Sequence, residues 1–78
     1  MASLTQAEHL AQLEEKMIPH LKGTNFYEAQ QYVQSFVARK KKALTESQTS
    51  ALVFHGAKLL LNHNAASDAG SLLVWYNL

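Results

Sequence analysis

The 78-residue sequence has no cysteine, one proline and three glycines, and only 17% of its residues are charged. Without cysteine, it lacks the disulfides and cysteine–zinc sites that often support a core this small. Its most apolar stretch, residues 51–61, is interrupted by His55, Gly56 and Lys58. That stretch is also much shorter than the ~20 residues that a helix needs to cross a bilayer. We therefore expect no membrane span.

The sequence favours one small folded domain over residues 1–78, because 47% of its residues are hydrophobic. The net charge of +1 excludes the broad positive field of a typical nucleic-acid binder. Four of the seven basic residues nevertheless stand together at positions 39–42. Residues 1–4 show neither the basic nor the apolar region of a secretory signal. We therefore expect a cytoplasmic location.

Hydrophobic periodicity predicts four helices, over residues 5–21, 26–41, 46–63 and 68–78. The first opens with Thr5 and Glu8 at the spacing of a capping box, in which each side chain bonds to the backbone of the other residue. Pro19 predicts either a kink or a helix end near Ile18, with a loose turn to Gly23. The apolar stripe of this helix is Leu10, Leu13, Met17 and Leu21.

The second predicted helix carries two stripes, and a Thr24–Asn25 turn before it predicts an antiparallel hairpin. Asn25 and Glu28 repeat the capping spacing. The stripe expected to be buried is Phe26, Ala29, Val33, Phe36 and Val37. The second, mostly polar stripe is Tyr27, Gln31, Gln34, Ala38 and Lys41.

Apolar residues cover most of the third predicted helix, which follows a Thr45–Gln48 cap pair, so we expect it to pack on more than one side. For the fourth helix, Ser67 or Asp68 is the expected cap, and its apolar character continues to Leu78. We expect an all-α fold of antiparallel helical hairpins, forming the N-terminal segment of a longer tetratricopeptide-like α-solenoid. Two hairpins are too few to establish a repeat period from the sequence.

The sequence contains no phosphate-binding loop, nucleophile elbow or zinc-binding motif. The four histidines, at positions 9, 20, 55 and 63, are spaced too widely along their helices to share a metal ion, and we expect ordinary surface or helix-end positions for them. We therefore expect neither an enzyme nor a cofactor. The cations at 39–42 either complement the negative end of the second helix or face an acidic protein surface.

Three blocks of sequence resemble the Golgi-to-ER traffic protein four family, in the same order and spacing, over most of residues 10–78. Gly23-Thr-Asn-Phe-Tyr-Glu-Ala-Gln-Gln is similar to its signature G-D-Y-Y-E-A-H-Q. Gly56-Ala-Lys-Leu-Leu-Leu resembles its segment G-A-L-x-F-L/F. Ser67-Asp-Ala-Gly-Ser-Leu-Leu-Val resembles its segment S-A-x-D-L-x-x-L-V.

This resemblance implies an adaptor that bridges the cytosolic targeting ATPase for tail-anchored membrane proteins to a ubiquitin-like subunit. The ATPase would bind the N-terminal helices, and the ubiquitin-like subunit a C-terminal half that these residues do not include. The implied ATPase-binding residues are His20, Lys22, Phe26, Tyr27, Lys41 and Lys42. Ser71 and Leu78 stand where the family has acids that restrain the ATPase. The resemblance therefore implies docking more firmly than restraint.

Two other functions remain open at the level of sequence. A generic tetratricopeptide-like module would bind a linear peptide in a groove lined by side chains such as Gln30 and Gln34. A small nucleic-acid binder would instead use the basic residues at 39–42, and its affinity would fall steeply with salt.

Overall fold

A computed structural model describes residues 5–78, which form four α-helices and no strand. The helices are α1 (Gln6–Lys22), α2 (Phe26–Lys40), α3 (Glu46–Asn62) and α4 (Ala66–Asn77). The predicted all-α fold is confirmed, and the first three helices begin and end within one residue of their predicted bounds. Residues 1–4, on which the absence of a secretory signal was argued, lie outside the described part of the chain.

Both predicted threonine caps form complete capping boxes. The Glu8 backbone N–H donates to the Thr5 hydroxyl at 3.2 Å, and the Thr5 N–H donates to the Glu8 carboxylate at 3.0 Å. Thr45 and Gln48 repeat the same two bonds at the start of α3. Hydrogen bonds with Thr5 hold the pKa of the Glu8 carboxyl below its ordinary value. The bond from the Thr5 backbone N–H is the larger cause of the lowered pKa, and the bond with the Thr5 side chain is the smaller.

The two other predicted helix starts have no side-chain capping bond. Asn25 precedes α2 but makes no capping bond through its side chain. The fourth helix begins at Ala66, so neither Ser67 nor Asp68 is its N-cap, and Ala65 in that position has no capping side chain. Asp68 instead accepts a hydrogen bond from Gln30 Nε2 of α2 at 3.0 Å. The Asp68 carboxylate, which the sequence pattern predicted to cap α4, therefore joins α4 to α2 instead.

Replacing Thr45 by alanine should lower the free energy of unfolding by about 1 kcal/mol, because the backbone N–H of Gln48 loses the hydroxyl that accepts its hydrogen bond. Asn25→Ala is the matched control and should have a much smaller effect, since that side chain makes no cap bond. Urea unfolding followed by circular dichroism would measure both. Equal losses in the two variants would contradict the assignment of the caps.

The helix α1 continues through Pro19 to Lys22, so of the two alternatives predicted at the proline, the helix end near Ile18 is wrong. Proline lacks only its own N–H donor, and the Pro19 carbonyl still accepts a bond from Gly23 N at 3.2 Å. Met17 and Leu21, on either side of the proline, are buried in the core. Their packing holds the last turn of the helix in place.

The two hairpins repeat one structure with a step of forty residues. The helices α1 and α3 begin at positions 6 and 46, and α2 and α4 begin at positions 26 and 66. Thr24 and Asn64 both adopt left-handed backbone conformations, with φ of 59° and 62°. The next residue in each turn, Asn25 or Ala65, donates its N–H to the carbonyl five residues earlier. The structure therefore supplies the repeat period that the sequence did not.

The second hairpin stacks beside the first, with α1 and α3 parallel. Gln6 Nε2 donates to the Gln48 carbonyl at 3.1 Å, and His55 Nε2 lies 3.8 Å from Glu14 Oε1. Helix α3 contacts all three other helices, which confirms that it packs on more than one side, whereas α1 and α4 do not touch within residues 5–78. The largest fully buried side chains are Leu13, Met17, Val33, Leu52, Val53, Leu60 and Leu72.

Candidate functional site

Four of the six predicted partner-binding residues lie at one end of the first hairpin, because the turn over residues 23–25 reverses the chain there. Tyr27 exposes 66% of its surface, whereas its neighbour Phe26 is half-buried against the core. His20 Nδ1 lies 3.5 Å from Glu28 Oε2 across the turn. Lys22 is exposed. This end therefore offers one aromatic ring and two basic groups to solvent.

The other two predicted residues, Lys41 and Lys42, lie immediately beyond the last residue of α2. Tyr27 and Lys41 are fourteen residues apart, which corresponds to about 21 Å along the helix. The structure thus separates the six residues into two clusters at opposite ends of α2. The polar stripe predicted from the sequence connects them, and of its members only Gln34 is half-buried rather than exposed.

The basic cluster at residues 39–42 has no carboxylate partner within residues 5–78, where both ion pairs involve histidines. The Arg39 guanidinium lies 5.9 Å from the ring centroid of Tyr32, and Lys40 Nζ lies 5.6 Å from that of Phe36. These cation–π contacts hold two of the four cations against their own helix. Lys41 and Lys42 are exposed, and their charges remain available to a partner.

Gln30 does not line a peptide groove. Its side chain is buried, donates from Nε2 to Asp68, and accepts from Gln34 Nε2 at 3.1 Å through Oε1. The predicted lining role of Gln30 is therefore wrong, because its amide is buried and bonded to Asp68 of α4 and Gln34 of α2. The sequence pattern could not predict this network, because Gln30 and Asp68 are 38 residues apart and lie on different helices.

His9 is buried, contrary to the expected surface position, and its Nδ1 atom has no hydrogen-bond partner. It lies one turn before Leu13 on the buried side of α1, as Thr49 lies one turn before Val53 in the second repeat. The four-residue spacing from His9 to Leu13 and Met17 is a signal that could have placed it inside.

A groove that sequence reasoning missed lies where α2 ends, α3 begins and α4 ends. It consists of two adjoining concavities, of about 480 and 300 Å³, which share Lys41, Thr49 and Tyr76. We call it the helix-end groove. The remaining residues that line it are Val37, Ala38, Leu44, Glu46, Trp75, Asn77 and Leu78.

Among residues 5–78, no three histidine or acidic side chains converge to hold a metal ion. None of the four helices is both long and apolar enough to cross a membrane. No family model, curated protein or solved structure matches this chain. The family resemblance of its three sequence blocks therefore stays a prediction.

Proposed function

We propose that this protein is a non-enzymatic cytoplasmic adaptor that binds the targeting ATPase for tail-anchored membrane proteins through the outer face of α2. The observation that carries the proposal is Tyr27, a large aromatic side chain left 66% exposed at the start of that face. Exposed tyrosines of this kind are frequent anchors in protein interfaces. Lys41 and Lys42 at the other end complete a face that suits a partner with an acidic patch.

The length of this face sets a requirement on the partner. A single partner that contacts both Tyr27 and Lys41 must extend about 21 Å along α2. The intervening Gln31 and Ala38 are exposed and uncharged, so they place no charge between the two clusters that would repel a partner. Phe26 is half-buried against the core, so it offers a partner less contact surface than Tyr27.

The forty-residue repeat supports the α-solenoid reading that belongs to this proposal. Leu21 is 2% exposed, whereas its equivalent Leu61, forty residues later, is 52% exposed. Lys16 of α1 and Gly56 of α3 occupy equivalent positions in the two repeats. Lys16 is exposed, whereas Gly56 lies against Val33 of the first hairpin. The first hairpin thus resembles the polar cap of a helical array, and the second presents an apolar face on which a further hairpin would stack. A ubiquitin-like subunit would bind such additional hairpins.

The proposal covers docking and not restraint of the ATPase. Ser71 and Leu78, at the positions where the resembled family has acids, are both exposed. A hydroxyl and an isobutyl group there offer no negative charge to a partner. We therefore propose that this protein holds the ATPase without the acidic contacts that the resemblance associates with restraint.

Replacing Tyr27 by alanine should weaken binding of the purified ATPase by roughly 30-fold, the effect expected for a residue worth about 2 kcal/mol at an interface. Isothermal titration calorimetry would measure the affinity. Phe54→Ala is the matched control, because Phe54 is an aromatic residue of similar exposure (56%) on α3, away from the proposed face. Its affinity should equal that of the unmodified protein.

The double variant Lys41→Glu with Lys42→Glu should also weaken ATPase binding, and increasingly so at low ionic strength, because the charges are exposed and salt screens them. Lys58→Glu on α3, compared with the single variant Lys41→Glu, controls for the change in net charge, since Lys58 is also exposed to solvent. Unchanged ATPase affinity in both the tyrosine and the lysine variants, with circular dichroism showing intact helices, would refute the proposed face.

A further inference from the structure

We propose that the helix-end groove binds an acidic, extended segment of a partner protein, with a carboxylate beside Lys41 and an apolar side chain against Trp75 and Tyr76. The groove overlaps the proposed ATPase-binding face at Ala38 and Lys41, and its remaining residues assign a second surface to the protein, at the junction of its two hairpins.

The shape of the groove favours an extended segment. Its two concavities lie side by side and share three residues, Lys41, Thr49 and Tyr76, so they form one elongated depression. The larger, of about 480 Å³, lies against the start of α3, and the smaller, of about 300 Å³, lies between the ends of α2 and α4. Volumes of roughly 300–1,000 Å³ are typical of clefts that bind small-molecule ligands, so each concavity has room for one or two side chains of a partner.

The repeat shows what fills the equivalent place on the first hairpin. Forty residues before Glu46 and Tyr76 stand Gln6 and Phe36. Gln6 donates to the backbone carbonyl of Gln48, at the point where the connection after α2 runs into α3, and Phe36 is almost fully buried. In the first repeat, the start of α3 therefore lies beside Gln6, the equivalent of Glu46. In the second repeat Tyr76 is only half-buried, and the corresponding place is open.

The charges around the groove favour an acidic occupant. Lys41 lines both concavities, and the neighbouring Lys42 is exposed, with no carboxylate paired to either within the described residues. Glu46 is the one acid among the lining residues, and it lies only in the larger concavity. A partner carboxylate would therefore lie near Lys41 and away from Glu46. Trp75 and Tyr76 provide large aromatic surfaces for an apolar side chain.

The test uses a fluorescein-labelled 12-residue peptide of alternating aspartate and leucine, with anisotropy as the readout. We expect saturable binding. When the unlabelled peptide is added, we also expect a change in the fluorescence emission of Trp75, the sole tryptophan of the protein. A peptide of alternating lysine and leucine tests the charge, and one of alternating aspartate and glycine tests the apolar contact. We expect both to bind at least tenfold more weakly.

Two single variants that each remove one charge should shift the affinity in opposite directions. Lys41→Gln should weaken binding of the aspartate–leucine peptide by about fivefold, and Glu46→Gln should strengthen it by about twofold, because an attraction is lost in one and a repulsion in the other. Lys58→Gln, away from the groove, should leave the affinity unchanged. Opposite shifts cannot arise from a general loss of folding.

Tyr27→Ala should leave peptide binding intact, which separates this proposal from ATPase docking. The proposal would be overturned by the absence of binding, by equal binding of the aspartate–glycine peptide, or by Lys41→Gln and Glu46→Gln moving the affinity in the same direction. It would also be overturned if a 12-nucleotide single-stranded DNA bound more tightly than the peptide and lost that binding in Lys41→Gln, because the groove would then serve a nucleic acid.

Discussion

Replacing Leu60 by alanine is expected to lower the free energy of unfolding by about 2–5 kcal/mol, because the truncated side chain leaves a cavity in a closely packed core. Leu60 is fully buried between α3 and its neighbours. A domain of this size has a total stability of roughly 4–12 kcal/mol. A substantial fraction of the Leu60→Ala protein should therefore be unfolded near 37 °C.

The adjacent Leu61 provides the control. Its side chain is 52% exposed, so Leu61→Ala should change the free energy of unfolding by less than about 1 kcal/mol. The two variants remove the same atoms from consecutive positions of one helix, and the sequence pattern alone placed both leucines in a single apolar set. Urea midpoints would measure the difference. Similar losses in both variants would mean that α3 is rotated about its axis or that another chain covers Leu61.

Replacing Gly56 by leucine is expected to destabilise the protein by about 3 kcal/mol or to prevent folding, because it overfills the contact between α2 and α3. A β-carbon at Gly56 would lie 2.9 and 3.1 Å from the two γ-methyl groups of Val33 and 3.5 Å from a methyl of Leu72. Val33 is β-branched and helical, and it cannot move its methyl groups away by changing rotamer without cost.

Gly70→Ala is the matched control for Gly56, and it should act in the opposite direction. Gly70 also lies inside a helix, but nothing lies within 4 Å of the position its β-carbon would take. Alanine there should stabilise α4 by about 1 kcal/mol, the usual difference in helix propensity. Thermal unfolding would show a lower midpoint for Gly56→Leu and a higher midpoint for Gly70→Ala.

A double variant tests the contact itself. Gly56→Ala should destabilise less than Gly56→Leu, and Val33→Ala should cost stability by leaving a cavity. Combining Gly56→Ala with Val33→Ala should cost less than the two single effects together, because the new methyl group occupies space that Val33 vacates. Strict additivity of the two would contradict a direct contact between these side chains.

The local sequence by itself determined the helical elements and the ends that depend on near neighbours. Thr5 with Glu8 and Thr45 with Gln48 cap their helices because each bond joins residues three apart, a spacing that is visible in the sequence. Periodicity also indicated the buried stripes and the unusual packing of α3 on several sides. The exposed positions of Tyr27 and Lys41 followed from the same helical spacing.

Only the tertiary structure decided features that depend on how the helices stack. The forty-residue step joins Gln6 to Gln48, pairs Gln30 with Asp68, and brings residues of three helices around the helix-end groove. The same stacking leaves Leu61 exposed, whereas Leu21, its equivalent in the first repeat, is buried. These outcomes were hidden because packing between helices depends on the shape of both surfaces at once, whereas a sequence pattern reports the chemistry of one surface at a time.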